Sequence, residues 1–192
     1  MSLMRVWSLV FAGLVCSLCT AEEAPAKAVK LEFRLVHADS DALVKKLKDE
    51  LWSSPRRANR EVEREFLESK APEGYELLSQ TICVPPRIPK VIYCYVAKTV
   101  EMDGSSVSRA AAARNGSGQP MIRLSFDAEG RKKFADLTER NVGRQLAVVI
   151  GGKLCGTPRI YAPIFEGDIE ITGSFTPEEL DAVVNGLNSG AR

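Results

Sequence analysis

The chain has 192 residues, of which 45% are hydrophobic and 27% are charged, as is typical of one globular domain with a substantial core. Its 26 Lys and Arg residues almost balance its 25 Asp and Glu residues, which leaves a formal net charge of +1. A nucleic-acid partner would demand a strongly basic face, so the sequence argues against DNA or RNA binding.

The first residues follow the pattern of a secretory signal peptide. Arg5 precedes an apolar stretch at 6–18, and small residues follow up to Ala21. This stretch is shorter than the ~20 apolar residues that span a bilayer comfortably. We therefore expect 1–21 to be a signal peptide, 22–30 to be a linker and the protein to be exported. A retained membrane tether and a lipid-modified cysteine are the alternatives.

Three cysteines follow the signal segment. Cys83 and Cys94 flank the sequence VPPRIPKVIY, which predicts two strands around a proline-rich turn. Since exported proteins can hold disulfides, these two could pair across the hairpin and leave Cys155 as the odd thiol. The alternative is that all three are buried small hydrophobic residues, and the sequence leaves both open.

The first half of the chain predicts strands with two helices between them. Apolar and polar residues alternate at 31–36, which predicts a half-buried strand with Leu31, Phe33 and Leu35 on one face. The other elements predicted in this half are a helix from Asp39 or Ser40 to about Trp52, a helix with a solvated face in the second half of 53–70, a strand within 71–79 and a hairpin at 82–100.

The second half begins with an alanine cluster inside 102–120, which predicts a short helix followed by a flexible turn. The further predictions are a strand with Ile122, Leu124 and Phe126 inward, a helix from Asp127 to about Asn141, a doubly buried strand at 146–150, strands at 160–165 and 169–173, and a last helix capped by Thr176 and Glu179. Strands and helices in this mixed order indicate an α+β domain. Its simplest architecture is a mainly antiparallel sheet with helices packed on one face.

Two glycines follow the doubly buried strand. Gly151 and Gly152 precede Lys153, which suggests a phosphate-binding loop, but the next residue is Leu154 instead of Ser or Thr, and extended chain follows. Two consecutive glycines readily supply the positive φ angles of a two-residue hairpin turn. The stretch therefore predicts strand, tight turn, strand, with Pro158 at a strand end.

The sequence offers no catalytic or metal-binding constellation. His37 is the single histidine, and the cysteines have no metal-ligand spacing. Glu166, Asp168 and Glu170 alternate on a predicted strand, which places all three on one face, where exposure to solvent explains them. We expect no enzyme activity, no cofactor and no metal.

Residues 125–180 closely resemble the head subdomain of the first periplasmic domain of SecD, a membrane subunit that assists bacterial protein export. The residues that match the pattern of that family are Asp127, Gly130, Phe134, Ala135, Leu137, Thr138, Asn141, Gly143, Arg144, Leu146, Ala147, Gly152, Lys153, Pro158, Gly173, Phe175 and Thr176.

The likeness extends beyond this core. The segments at 31–36, 72–78 and 116–120 also look like those that precede it in the family. Two features depart from the pattern: Gly151 stands where the family usually has Asp, and 39–70 looks like an expanded insertion.

The resemblance therefore implies a single head-like domain at 31–192, with a variable first part at 31–100 and the most family-like part at 101–192. We expect it to be a stand-alone module, without the membrane helices that couple export to the proton gradient in this family.

The function implied is that of an exported, non-catalytic module that binds unfolded or translocating polypeptide. An exposed sheet edge would add an extended chain as an extra strand. The Sec channel or another envelope protein is a further expected partner, and contact with the membrane is expected only through an N-terminal tether. The candidate binding residues are Arg144, Gly152, Lys153, Pro158, Ile160 and Tyr161.

A second hypothesis is a structural or interaction protein of the bacterial envelope that reuses the fold without a role in export. Both hypotheses place the protein in the periplasm or in association with the envelope.

Overall fold

The computed structural model of the chain describes residues 29–53, 59–84, 88–173 and 175–190, with only the backbone described at 83–84 and 190. The predicted signal peptide and most of the predicted linker lie outside these residues. The elements are β1 (Leu31–Leu35), α1 (Ser40–Trp52), α2 (Arg60–Ser69), β2 (Tyr75–Val84), β3 (Ile88–Ala97), β4 (Met102–Asp103), β5 (Val107–Arg114), β6 (Pro120–Phe126), α3 (Ala128–Arg140), β7 (Leu146–Ile150), β8 (Lys153–Gly156), β9 (Asp168–Thr172) and α4 (Pro177–Gly190).

All the strand pairs in the described part of the chain are antiparallel, so the predicted α+β class with a mainly antiparallel sheet is confirmed. The strands form three sheets. The central sheet has the order β4-β1-β7-β8, the long hairpin consists of β2 and β3, and the outer sheet has the order β5-β6-β9. None of the helices in the described ranges is long and apolar enough to span a bilayer.

The central sheet is covered on both faces. All five residues of β7 are buried, as the sequence predicted. Val148 and Ile150 face the main core, whereas Ala147 and Val149 pack with Cys94 of the long hairpin. Five apolar residues in a row are therefore explained by two hydrophobic layers that meet at one strand.

Helices α1 and α2 cover the far face of the long hairpin. Tyr95 is fully buried there, and its hydroxyl donates to the Leu67 carbonyl at 2.9 Å. Its backbone N–H donates to the Ser40 hydroxyl, also at 2.9 Å. Ser40 thus joins the helix to the hairpin, and neither it nor Asp39 caps α1 through its side chain, contrary to the sequence interpretation.

The main core lies between the central sheet, the outer sheet and helices α3 and α4. Ile122, Leu124 and Phe126 point inward as predicted. The ring of Phe134 from α3 lies 5.3 Å, between centroids, from both Phe33 of β1 and Phe126 of β6. Edge-on and tilted contacts of this kind fill a core at ordinary packing density.

The alanine cluster forms strand β5, so the prediction of a short helix there was wrong. Alanine has the highest helix propensity of the residues, but propensity is a weak determinant that tertiary contacts override. β5 pairs with β6 over its length, and the side-chain amide of Asn188 on α4 bonds both backbone groups of Ala110, at 2.8 and 3.0 Å. Small side chains in the strand allow α4 to lie close against it.

One further expectation was wrong. The strand predicted at 160–165 is irregular chain joined to the fold by single contacts, such as the hydrogen bond from the Ile164 N–H to the Thr138 hydroxyl at 2.9 Å. The long hairpin pairs Cys83 with Pro89, and Cys94 with Leu78, so the two cysteines do not face each other. Cys94 and Cys155 are free, buried thiols, as the alternative predicted for these two residues.

The turn between β7 and β8 has the predicted form. Gly151 and Gly152 have φ values of 57° and 80°, and Ile150 pairs with Lys153 across the turn. The Gly151 N–H donates to the Lys30 carbonyl at 2.8 Å, which ties the turn to the start of β1.

A charged network lies between the central sheet and the long hairpin. Glu32 of β1 is 3% exposed and forms ion pairs with Lys30 and Arg34, and Arg34 also pairs with Glu76 of β2. Burial raises the pKa of Glu32, but the hydrogen bonds from Lys30 and Arg34 outweigh it and hold the pKa below its usual range.

Replacing Gly152 with Ala is expected to lower the free energy of unfolding by about 1 kcal/mol, because an L-residue is strained at φ 80°. A steric clash is not the cause, because no atom lies within 4 Å of the added Cβ. Gly116→Ala is the matched control, because it also meets nothing within 4 Å and its φ is not positive. Equal losses in urea unfolding for both variants would contradict the strained-turn explanation.

Replacing Glu32 with Gln is expected to cost roughly 1–3 kcal/mol at about pH 7, because Arg34 then loses a buried carboxylate partner. The pKa of Glu32 is lower in the folded state, so its contribution is present above the unfolded pKa and is lost as the pH falls through the folded pKa. The difference between variant and wild type should therefore shrink in urea unfolding at about pH 3.

The control for this experiment is Glu170→Gln, which removes the partner of Arg123 in an exposed ion pair. We expect it to change stability by less than about 1 kcal/mol. A Glu32→Gln loss that is equally large at both pH values would show that the carboxylate charge is not what stabilises the network.

Candidate functional site

A cleft of about 620 Å³ opens beside the β7–β8 turn. One wall is β2 of the long hairpin, and the opposite wall is the first half of α4. The floor is the turn and strand β8 at the edge of the central sheet. The residues that line it are Val29, Arg64, Leu77, Ser79, Gln80, Thr81, Tyr93, Ile150, Gly151, Gly152, Lys153, Leu154, Cys155, Gly173, Phe175, Glu179, Ala182 and Val183.

Strand β8 contributes Lys153, Leu154 and Cys155 to this lining. β8 pairs with β7, and the carbonyl of Cys155, which lies at a register shift in this pair, accepts a hydrogen bond from the Gln80 side-chain amide at 2.5 Å. Gln80 thus supplies to an edge strand the kind of donor that a neighbouring strand would supply. An extended chain placed in the cleft would present the same donors from its backbone.

Lys153 lies at the mouth of the cleft, and its ammonium is engaged. Its Nζ lies 2.8 Å from the Glu179 carboxylate, whose other oxygen accepts from the Thr176 N–H at 3.1 Å. The Glu179 N–H donates to the Thr176 hydroxyl, so the predicted capping box is present. The hydrogen bond to Glu179 raises the pKa of Lys153, and the same bond lowers the pKa of Glu179.

The two described thiols are unreactive by their surroundings. Burial raises the pKa of Cys94 to about 12 and that of Cys155 to about 11. At neutral pH both are protonated, and it is the thiolate that attacks electrophiles or binds metals. Cys155 therefore contributes packing and a backbone carbonyl to the cleft.

The structure divides the predicted binding residues between two ends of β7. Gly152 and Lys153 line the cleft at the turn. Arg144 and Pro158 lie at the opposite end, where the Leu146 N–H donates to the Pro158 carbonyl and the Ile160 N–H donates to the Arg144 carbonyl, both at 2.9 Å.

Two predicted residues in the loop after β8 have contrasting surroundings. Ile160 is 4% exposed and packs in the main core, whereas Tyr161 is 84% exposed. Phe165 in the same loop is 70% exposed. Tyr161 thus belongs to an exposed loop with apolar side chains and not to the lining of the cleft.

Of the residues that line the cleft, sequence reasoning found Gly152 and Lys153 and missed the others, Phe175 and Gln80 among them. Phe175 matches the family motif, but the sequence pattern around it gives no sign that it lines a cavity. Gln80 carried no signal, because its role depends on a backbone carbonyl 75 positions away. The Gln80 side chain reaches the Cys155 carbonyl only because the long hairpin packs against the central sheet.

The residues considered for catalysis have ordinary structural contacts. The His37 ring accepts from the Asp39 N–H at 3.1 Å and packs edge-on against Tyr75. Asp168 accepts from the Ser125 hydroxyl at 2.5 Å, and Glu170 pairs with Arg123. Within the described ranges, no three His, Cys, Asp or Glu side chains converge on a point that could hold a metal ion.

Comparison with known proteins relates the chain to protein-export subunits. Residues 82–191 match the family model of the SecDF P1 head subdomain. The protein translocase subunit SecD of Acidaminococcus fermentans is 42% identical over 90 residues, which are 47% of this chain and 22% of that protein. SecD of Dictyoglomus turgidum is 42% identical over 94 residues, or 49% of this chain and 23% of that protein.

Solved structures show the same fold. A crystal structure of SecDF in its super-membrane-facing form superposes with a TM-score of 0.56 at 24% identity, over 86% of this chain and 19% of the SecDF chain. A second SecDF structure, described as a membrane component that enhances protein export, gives 0.55 at 24% identity, over 86% of this chain and 64% of that one.

The chain spans about a fifth of the length of the SecD proteins it matches. The matched region, 82–191, covers more than half of the chain and includes the turn, β8 and α4, which form the floor and one wall of the cleft. The chain belongs to the family of the SecDF P1 head subdomain.

Proposed function

We propose that this protein is an exported, non-catalytic module that binds unfolded or translocating polypeptide, and that it assists protein translocation or the release of chains after translocation. It acts in the periplasm or at the bacterial envelope. Its partners are extended chains and, secondarily, the Sec channel or another envelope protein. The predicted signal peptide and the translocase relatives support this placement.

One observation carries the proposal: the part of the chain that matches the SecDF P1 head family builds a cleft along an edge strand. Edge strands present backbone donors and acceptors at regular spacing, and these recognise extended chain without regard to its sequence. The Cys155 carbonyl already accepts an amide donor from Gln80 in this direction. The Gln80 amide holds the position that a client N–H would take.

The other walls of the cleft favour unfolded over folded clients. Leu77 and Tyr93 contribute apolar surface on the hairpin side, and Phe175 and Val183 do so on the α4 side. Unfolded chains expose the apolar side chains that such walls would cover, whereas folded proteins bury them. The ion pair between Lys153 and Glu179 leaves the mouth without an uncompensated charge, so clients of either net charge can enter.

The second hypothesis, a folded envelope partner, has one feature in its favour. Helices α1 and α2 precede the matched region 82–191 and cover the hairpin through a layer of their own. A surface added to a family fold is a natural place for a specific partner. Photo-crosslinking from the cleft separates the two functions.

A photo-crosslinking residue at Ala182 is expected to capture many unrelated exported chains in cells, because this exposed helix position lines the cleft. Captured proteins would be identified by mass spectrometry. The matched control is the same residue at Lys132, an exposed position on α3 away from the cleft, which should capture far fewer.

Capture of a single folded envelope protein, in a one-to-one ratio with this protein, would support the second hypothesis and overturn the first. Equal capture of the same chains from Lys132 would show that the cleft is not the binding site.

A further inference from the structure

Strand β5 is an edge of the outer sheet. It pairs with β6 on one side, and its other side faces α4. There the Asn188 side chain accepts from the Ala110 N–H at 2.8 Å and donates to the Ala110 carbonyl at 3.0 Å. An amide on a helix thus occupies the place of a strand residue, but it satisfies only one position of this edge.

In an antiparallel strand, the backbone groups of every second residue point away from the paired strand, and this alternation gives the next two residues of β5 that point away from β6. The register between β5 and β6 is continuous from Arg109 to Arg114, so Ala112 and Arg114 direct their backbone groups the same way as Ala110. Two observations next to Arg114 confirm which backbone groups point away from β6. The residue opposite Arg114 is Pro120, which has no N–H to give, and the next residue, Asn115, bonds inward to the Gln119 carbonyl at 2.9 Å.

These outward groups border a groove of about 500 Å³ between the end of β5 and the start of α4. The described residues supply no hydrogen-bond partner for the outward N–H and C=O groups of Ala112 and Arg114. The side chain of Ala112 is too small to fill the space, and Leu180, Phe175 and Pro177 form its apolar far wall.

We propose that this groove binds an extended polypeptide segment, which adds as a fourth strand to the outer sheet beside β5 and hydrogen-bonds the backbones of Ala112 and Arg114. The segment places an apolar side chain against Leu180 and Phe175. This surface shares only Phe175 with the cleft described above, so it stands or falls separately from the proposed function.

The chemistry of the groove selects this occupant. Two alternating N–H and C=O pairs match the backbone of an extended chain, and the apolar wall matches one of its side chains. The rim carries one charge of each sign, Arg114 and Asp181, and the Arg114 guanidinium already donates to the Gly118 carbonyl at 2.8 Å. A strongly charged ligand is therefore not favoured.

The test measures amide hydrogen exchange of the full chain by NMR, with and without a peptide ligand. The peptide is fluorescently labelled and has alternating Val and Thr residues flanked by lysines. In the free protein, the Ala110 amide should exchange slowly and the amides of Ala112 and Arg114 quickly. Saturating peptide should protect the latter two. The same peptide with alternate backbone nitrogens methylated should not bind.

Ala112→Pro removes the outward N–H at an edge position that tolerates proline, because this N–H makes no bond to β6. It should weaken peptide binding about tenfold or more in fluorescence anisotropy. Ala112→Ser keeps the backbone N–H and adds only a small side chain, so it should bind the peptide as the wild type does. Unchanged spectra outside β5 would show that the proline variant is folded.

Equal affinity of the proline and serine variants would overturn the inference, as would a wild type that fails to bind the peptide. Protection of Lys153–Gly156 instead of β5 would also overturn it, while supporting the cleft as the peptide site. Protection of Ala112 that grows with protein concentration in the absence of peptide would assign the groove to a second copy and reject the peptide.

Discussion

The fold depends on the burial of one strand, β7, between two hydrophobic layers. Its alternate residues supply the main core on one side and the layer beneath the long hairpin on the other. Five consecutive apolar residues allow this, since a strand with one polar face could hold only one layer. With β7 fixed, the positions of β1, β8 and the glycine turn follow from main-chain pairing.

This arrangement also places the cleft. The turn after β7 brings β8 back along the edge of the central sheet, and the hairpin packed over one face supplies β2 as the facing wall. α4 closes the other side and is held to the turn by the ion pair between Lys153 and Glu179. The cleft is thus the place where the central sheet, the long hairpin and α4 meet. Such junctions are a common position for a binding site.

Local patterns in the sequence predicted the elements that the local sequence itself determines. These were the alternating strands, the Asp127 cap, the capping box and the double-glycine turn. The predictions failed where contacts distant in sequence decide. The alanines of β5 became a strand because β6 and Asn188 bond them, and 160–165 stayed irregular because single contacts hold it. The division of the candidate residues between two ends of β7 depends on pairing that no local window contains.

The pairing of β1 with β7 has a kinetic consequence. It joins Leu31 to Ile150, residues 119 positions apart, at the centre of the fold. Contacts of such sequence separation slow folding, because a long loop must close before they form. A chain that emerges from a ribosome or a channel in order cannot complete either hydrophobic layer of the central sheet until residue 150 is out. The residues before Ile150 must therefore remain without their central sheet until that residue has emerged.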